Sequence, residues 1–346
     1  MNKGPAMAEA KQTQPSRVHA TINLDSPGKQ TGDLMLKWSD NTVPLGYHPI
    51  AIASLRGSDG PTVLLLGGTH GDEFEGPAAI LRLAERLDPS QIAGQIIMIP
   101  ALNAPAVANS SRVSPLDGQN LNRAFPGDPD GGPTAMLAHY VETVLLPRVD
   151  AVIDLHSGGK ASVFAPCALA SRCADPKLTK ANLDLANAFG LPLMWVLGAH
   201  NDNRSVNAAA ERAGVPMIAT ELGGGGNITP EIVDAAETGL MRCLTELGLL
   251  EGSSGIGTPP RQVEIASPHD SLYAPENGLF DRYVCAGQEV QAGDLAGHLR
   301  FPDNPGRPAL KLNFPNSGFV LAHGNRGMVC RGDLLALVAQ NASKGD

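Results

Sequence analysis

Two side chains that commonly bind metal ions lie three residues apart, just after a short apolar run. The stretch 66–77 reads LGGTHGDEFEGP, so His70 and Glu73 follow two glycines that let the chain turn away from a predicted strand. A histidine and a carboxylate at this spacing can converge on one Zn²⁺. The pair is weak evidence by itself, because a His followed three residues later by a Glu is common by chance.

A third candidate ligand, His156, ends the apolar stretch AVIDLH and precedes Ser-Gly-Gly. It could complete a His₂Glu set with a fourth position left for water, which is the arrangement of catalytic zinc sites. A hydrogen-bonded core histidine is the alternative, and it would be favoured if His156 stood alone. Asp154, on the same predicted strand face, fits a partner of a ligating imidazole and a structural salt bridge equally well.

A carboxylate stands at the end of another apolar run, where Glu221 occurs in ATELGGGG. It could act as general base towards water at a metal and then as the acid that protonates a leaving amine. An ordinary glutamate at a strand end is the alternative.

The loop NSSRVSPLDGQNLNRAFPG carries three polar candidates among turn-forming residues rather than on an amphipathic face: Arg112, Asn122 and Arg123. Arginine is the side chain best suited to bind a carboxylate through two parallel hydrogen bonds. The loop therefore indicates a binding site for an anionic group.

The elements that must position these residues are short apolar runs that alternate with longer helix-like segments between about residues 18 and 250. The runs TVLLLGG, GQIIMIPALN, DAVIDLH and GVPMIATEL predict buried strands. This alternation predicts an α/β domain with a mixed, mostly parallel sheet covered by helices on both faces. Functional groups of such a domain collect at the carboxyl ends of the strands.

Four segments are expected along the chain. Residues 1–17 form a tail predicted to be disordered, 18–250 the α/β domain, 251–260 a linker rich in Gly, Ser and Pro, and 261–346 a small all-β domain. The last segment contains two copies of one pattern, VQAGDL and VCRGDL. It resembles a lipoyl or biotinyl carrier fold. Since no lysine lies at either turn, we expect no attached cofactor and a role in shaping the site or in homo-oligomer formation.

The composition narrows the class of protein. The 346-residue chain is 42% hydrophobic and 18% charged, and no apolar run is long enough to span a bilayer, so we expect no membrane-spanning segment. A formal net charge of -9 disfavours nucleic acid and favours a small molecule as partner. Five scattered cysteines without a CxxC pair argue against disulfides and a thiolate zinc site. The lack of an apolar run after Lys3 predicts a cytoplasmic location.

The motifs HGDE, NLNRAFPG, DLHSGG and a late TELGG occur together in this order. Over roughly residues 45–250 the chain thereby resembles the aspartoacylase and succinylglutamate desuccinylase family of zinc carboxypeptidase-like hydrolases, with the N-acetyl-diaminobutyrate deacetylases as the nearest subgroup. The resemblance implies one Zn²⁺ per chain and these roles for the matching residues: ligands His70, Glu73 and His156, catalytic base Glu221, oxyanion contact Arg112, and substrate carboxylate contacts Asn122 and Arg123.

One feature departs from the family pattern, because SPLDGQN lengthens the segment between Arg112 and the Asn122–Arg123 pair. No residue clearly matches those that bind the acidic side chain in aspartoacylases. Arg204, in NDNRSVNAAAE, is a candidate, although a solvent-facing arginine at a helix start fits it better.

The resemblance implies a zinc-dependent deacylase that hydrolyses the amide of an N-acyl amino acid, with N-acetyl-2,4-diaminobutyrate as one candidate substrate. A zinc carboxypeptidase is an alternative, since the same ligand set and carboxylate contacts would serve it. A non-catalytic zinc-binding or ligand-binding protein is another, and the presence of Glu221 weighs against it.

Overall fold

The computed structural model describes residues 14–198, 202–253, 255 and 258–343. Most of the tail predicted for residues 1–17 lies outside the described residues, as does part of the predicted linker. None of the helices in these ranges combines the length and apolarity that crossing a bilayer requires.

The N-terminal part of the chain contains strands and helices in alternation. Its strands are β1 (His19–Ala20), β2 (Gly28–Leu36), β3 (His48–Arg56), β4 (Ser58–Gly67), β5 (Ala93–Ile99), β6 (Ala151–Leu155), β7 (Ser162–Phe164), β8 (Cys167–Ser171), β9 (Leu193–Leu197) and β10 (Met217–Glu221). Its helices are α1 (Glu75–Arg86), α2 (Ala104–Ala108), α3 (Pro133–Tyr140), α4 (Pro176–Phe189), α5 (Val206–Ala213) and α6 (Pro230–Glu246).

All of these strands except β7 form a mixed sheet in the order β1-β2-β3-β5-β4-β6-β10-β8-β9. The four central strands β5, β4, β6 and β10 run parallel, β8 is antiparallel to β10, and β9 is parallel to β8. Strands β2 and β3 add an antiparallel edge. The predicted fold class is confirmed.

The central strands read as continuous apolar runs because both faces of the sheet are covered. In β4, Leu64 and Leu66 pack with α3 and α5 on one face, whereas Val63 and Leu65 pack with α1, α4 and α6 on the other. Successive side chains of a strand point to opposite faces, so a strand between two helical layers must be apolar at every position.

The C-terminal part of the described chain is built from strands: β11 (Arg261–Glu264), β12 (Leu272–Tyr273), β13 (Gly278–Arg282), β14 (Glu289–Val290), β15 (Leu295–Arg300), β16 (Leu310–Asn313), β17 (Gly318–Gly324), β18 (Met328–Val329) and β19 (Leu334–Asn341). Four of them form a small sheet in the order β16-β15-β13-β18. The two VxxGDL copies make matching turns, since Asp294 Oδ2 accepts Gln291 N at 2.7 Å and Asp333 Oδ2 accepts Cys330 N at 2.9 Å.

Strand pairs connect this part to the N-terminal sheet. Strand β11 runs parallel to β9, and β7 is antiparallel to β17. The β7 pairing holds the segment that follows His156 against the C-terminal strands. The domain boundary expected at 251–260 stays a prediction.

Candidate metal centre and active site

Three neighbouring parallel strands deliver the candidate metal ligands and the candidate base to one edge of the sheet. Strands β4, β6 and β10 are adjacent in that order. His70 lies three residues beyond the end of β4, His156 directly follows β6, and Glu221 is the last residue of β10. The carboxyl ends of parallel strands meet at the same edge, which is why residues far apart in sequence come together here.

Glycines shape the loop that presents His70 and Glu73. Gly68 has a φ of +63°, a left-handed conformation that side chains rarely adopt. At Gly71 a Cβ would lie 2.0 Å from the carbonyl carbon of Ala106, so only glycine fits against α2. The backbone N–H of Gly71 donates to Ser111 O at 2.9 Å and fixes the loop.

The side chains of His70, Glu73 and His156 form one buried group. Glu73 Oε1 lies 2.7 Å from His70 Nδ1, and Glu73 Oε2 lies 2.9 Å from His156 Nδ1. One nitrogen or oxygen atom of each residue lies within 4.8 Å of the others. These three side chains therefore offer two imidazole nitrogens and a carboxylate oxygen to a single point.

The outer partners of the two imidazoles suit a bound cation. His70 Nε2 lies 3.1 Å from Asn120 Oδ1, and His156 Nε2 lies 2.9 Å from Asp154 Oδ2. Because both partners are acceptors, each Nε2 can donate a proton to its partner, and each Nδ1 can then offer its lone pair to a cation. Two imidazoles and a carboxylate are a donor set that Zn²⁺ binds, with outer oxygens orienting the rings.

Electrostatics give the two glutamates of this edge different pKa values. Burial alone would raise the pKa of Glu73, but interaction with His70 and His156 holds it well below its usual range. Burial raises the pKa of Glu221 to about 8, and the neighbouring Glu73 adds to the effect. Glu221 Oε2 is buried and has no hydrogen-bond partner among the described residues. Glu221 is thus placed to exchange a proton with a molecule that enters the site.

The loop after α2 brings its three polar candidates to the same edge. Arg112 Nη1 donates to Glu73 Oε1 at 3.3 Å. Asn122 and Arg123 belong to a 3₁₀ turn, Leu121–Arg123. Arg123 Nε lies 3.0 Å from Asp202 Oδ2, and its Nη1 donates to Asn122 O at 2.6 Å.

A cavity of about 400 Å³ opens over these residues. Its lining includes every residue to which the resemblance assigned a role: His70, Glu73, Arg112, Asn122, Arg123, His156 and Glu221. Apolar side chains form another part of the wall: Phe164, Leu169, Trp195 and Leu197. This volume is that of a small-molecule site. A larger cavity of about 580 Å³, near Leu87 and Met241, contains none of the candidates.

Some site residues were not identified from the sequence. Asn120, which contacts His70, stands two positions before Asn122 in the same quoted loop, but nothing in its spacing distinguished it. Thr69 Oγ1 donates to Asp154 Oδ1 at 3.0 Å and so holds the partner of His156. Arg204 pairs with Asp202 at 2.9 Å and does not line the cavity.

Comparisons with known proteins agree with this geometry. The family model of the succinylglutamate desuccinylase/aspartoacylase catalytic domain matches residues 59–247. A curated relative, N-alpha-acetyl-L-2,4-diaminobutyric acid deacetylase of Halomonas elongata, is 35% identical over 95% of this chain and 96% of its own length.

Two solved structures are similar over nearly the whole chain. A succinylglutamate desuccinylase/aspartoacylase from Rhodobacter sphaeroides is 36% identical with a TM-score of 0.89, covering 94% of this chain and 100% of that one. The product-bound ectoine utilization protein EutE (DoeB) from Ruegeria pomeroyi is 33% identical with a TM-score of 0.91 and the same coverage. The expected resemblance is confirmed, and the chain belongs to the succinylglutamate desuccinylase/aspartoacylase family.

Proposed function

We propose that this chain is a zinc-dependent deacylase that hydrolyses the amide of an N-acyl amino acid. One observation carries the proposal: a single cavity contains a buried His-Glu-His set, a second glutamate whose pKa is raised to about 8, and two arginines. Amide hydrolysis needs an electrophilic centre, a proton carrier and donors for the developing negative charge.

Glu221 is the proton carrier in this proposal. When bound by His70, Glu73 and His156, Zn²⁺ supplies Lewis acidity that polarises an amide carbonyl and lowers the pKa of water. Glu221 takes the proton of the attacking water and gives it to the leaving amine. Its burial makes its carboxylate a stronger base than an exposed one.

Arg112 meets the negative charge that develops on the amide oxygen. Its hydrogen bond to Glu73, at 3.3 Å, holds the guanidinium beside the ligand set. Donors fixed in advance near the reacting oxygen stabilise the transition state without reorganising.

Asn122 and Arg123 hold the substrate carboxylate. Asn122 Oδ1 already accepts Val206 N at 2.9 Å, so the Nδ2 group is the end that can donate to substrate. Asp202 and Asn122 O orient the guanidinium through Nε and Nη1, and Nη2 has no partner among the described residues. The outer edge of Arg123 can therefore bind a carboxylate through two hydrogen bonds.

N-acetyl-2,4-diaminobutyrate is the first substrate to test. The Halomonas elongata relative is named for that compound. The position of Arg204 also favours a substrate whose side chain is not acidic, because this arginine pairs with Asp202 and does not line the cavity. A cytoplasmic location stays a prediction.

The test is hydrolysis of N-acetyl, N-succinyl and N-formyl amino acids by the purified protein loaded with Zn²⁺. We expect release of the free acid and the free amino acid, with the acetyl substrates fastest. Removal of the last residue of a peptide without hydrolysis of any N-acyl amino acid would instead identify a carboxypeptidase. Binding without turnover of either class would identify a non-catalytic protein.

A further inference from the structure

One more polar side chain of the cavity lacks a partner. Asn207 is the second residue of α5, is only 9% exposed, and lines the cavity. Its Nδ2 atom is buried and forms no hydrogen bond with any described residue. Glu221 Oε2 is the other atom of this kind among the described residues of the lining.

An enclosed amide nitrogen without an acceptor is unusual, because folded proteins satisfy nearly all of their buried polar groups. An exception that lines a cavity can bond a molecule that enters the cavity. For Asn207 Nδ2, which can only donate, the missing partner is an oxygen acceptor.

The position of Asn207 indicates which oxygen it meets. The preceding residue, Val206, donates its N–H to Asn122 Oδ1 at 2.9 Å, so the first turn of α5 packs directly against the Asn122–Arg123 turn. Phe125 N also donates to Arg204 O at 3.2 Å and ties the two segments together. The positive end of the α5 dipole adds to the attraction for an anion at this place.

We propose that Asn207 is a substrate-binding residue that donates, beside Asn122 and Arg123, to the α-carboxylate of the substrate. The inference rests on the proposed function, since it concerns the same substrate. A carboxylate has about four lone-pair positions, enough for two bonds from an arginine and one from each asparagine. Asn207 therefore makes the site prefer a carboxylate over a neutral group of the same shape.

The experiment measures binding rather than turnover. Zinc-loaded protein that carries Glu221→Gln is titrated by calorimetry with N-acetyl-2,4-diaminobutyrate and with its α-carboxamide. The ratio of the two dissociation constants reports the preference for the carboxylate. Asn207→Asp keeps the size of the side chain but replaces the donor with a negative charge, so we expect the preference to fall by at least about tenfold.

Asn207→Leu, which removes the donor without adding charge, should lower the preference by about three- to tenfold. The matched control is Asn187→Leu on α4, a half-buried asparagine that does not line the cavity and should leave the ratio unchanged. An unchanged or increased ratio in Asn207→Asp, with both ligands still binding, would overturn the role of Asn207 and leave the deacylase proposal standing. Failure of the parent protein to bind either ligand would overturn both.

Discussion

The carboxyl edge of the N-terminal sheet and the small sheet near the C-terminus differ in what they bury. At the first, buried charged and polar groups converge around Glu73 and Glu221, and two cavity atoms lack partners among the residues that the structure describes. In the second, the core is apolar, with side chains such as Phe280, Leu299 and Phe314, and the polar groups of its two repeated turns bond each other.

The difference has an energetic meaning. A buried polar group without a partner costs stability, and a fold tolerates the cost mainly where the group has a chemical task. Glu221 Oε2 and Asn207 Nδ2 are groups of this kind that line the cavity, so chemistry is expected there. In the C-terminal part, Ser271 Oγ and His323 Nδ1 are also buried without a partner among the described residues, but neither lines this cavity.

The largest expected effect comes from removing a metal ligand. We expect His156→Ala to lose its zinc and nearly all activity. Loss of a residue that only hydrogen-bonds a ligand already lowers metal affinity roughly 10- to 100-fold, and loss of a ligand should lower it further. Elemental analysis and acetate release measure the two effects. His139→Ala is the control, since His139 is equally buried but lies outside the cavity. Wild-type zinc content in His156→Ala would contradict the assignment.

Changing Glu221 should separate chemistry from metal binding. Glu221→Gln is expected to keep its fold and its zinc and to lose about two to four orders of magnitude in turnover, the usual effect of a positioned proton carrier. Steady-state kinetics with parallel metal analysis provide the measurement. Full activity, or inactivity explained by loss of zinc, would remove the general-base role.

Arg123→Lys tests the carboxylate contact. Loss of the planar guanidinium should cost roughly 2 to 5 kcal/mol of transition-state binding, seen in kcat/KM for an N-acetyl amino acid and hardly at all for its amide. Arg204→Lys is a matched control, because Arg204 pairs with the same Asp202 without lining the cavity. An equal decrease for both substrates would mean that Arg123 is structural.

The smallest expected effect is on stability and concerns the C-terminal part of the chain. Burial, with help from Arg282, lowers the pKa of His323 in β17 from 6.5 to about 4. As the pH is lowered, the unfolded chain protonates His323 at a higher pH than the folded chain does. Native stability therefore decreases as the pH falls from about 6.5 to about 4. The free energy of unfolding, measured with urea, should decrease between pH 7.5 and 5 by about 1 to 2 kcal/mol less in His323→Gln than in wild type. Activity should be unchanged. The control is His298→Gln, a change at a half-buried histidine that bonds Tyr283 and should leave the loss as it is in wild type. Equal curves for His323→Gln and wild type would reject this account.

The sequence predicted the strand ends well because local pattern determines them. A continuous apolar run followed by glycines can be read directly, and TVLLLGG, DAVIDLH and the run before Glu221 became β4, β6 and β10. The β2–β3 hairpin was not singled out, since its alternation of exposed and buried positions is interrupted by polar residues.

Contacts between distant segments could not be predicted in this way. Asn120 and Asn207 lie in quoted stretches, yet the role of Asn120 depends on its contact with His70, and that of Asn207 on how α5 packs against the Asn122–Arg123 turn. Likewise, the pairing of β11 with β9 across the predicted linker is set by tertiary packing and not by local composition. Residue type and spacing identify candidate ligands, whereas partners without a motif appear only in three dimensions.

Glu73 and Glu221 line one cavity, and we propose that Glu73 is a metal ligand whereas Glu221 is the proton carrier. The most direct test is the zinc content of a matched pair, Glu73→Gln and Glu221→Gln, measured by elemental analysis after identical loading and dialysis. Both changes replace a carboxylate by an amide of the same size. We predict that Glu221→Gln retains about one zinc per chain and that Glu73→Gln loses most of its zinc. Retention of zinc by Glu73→Gln, or its loss from Glu221→Gln, would contradict this division of roles.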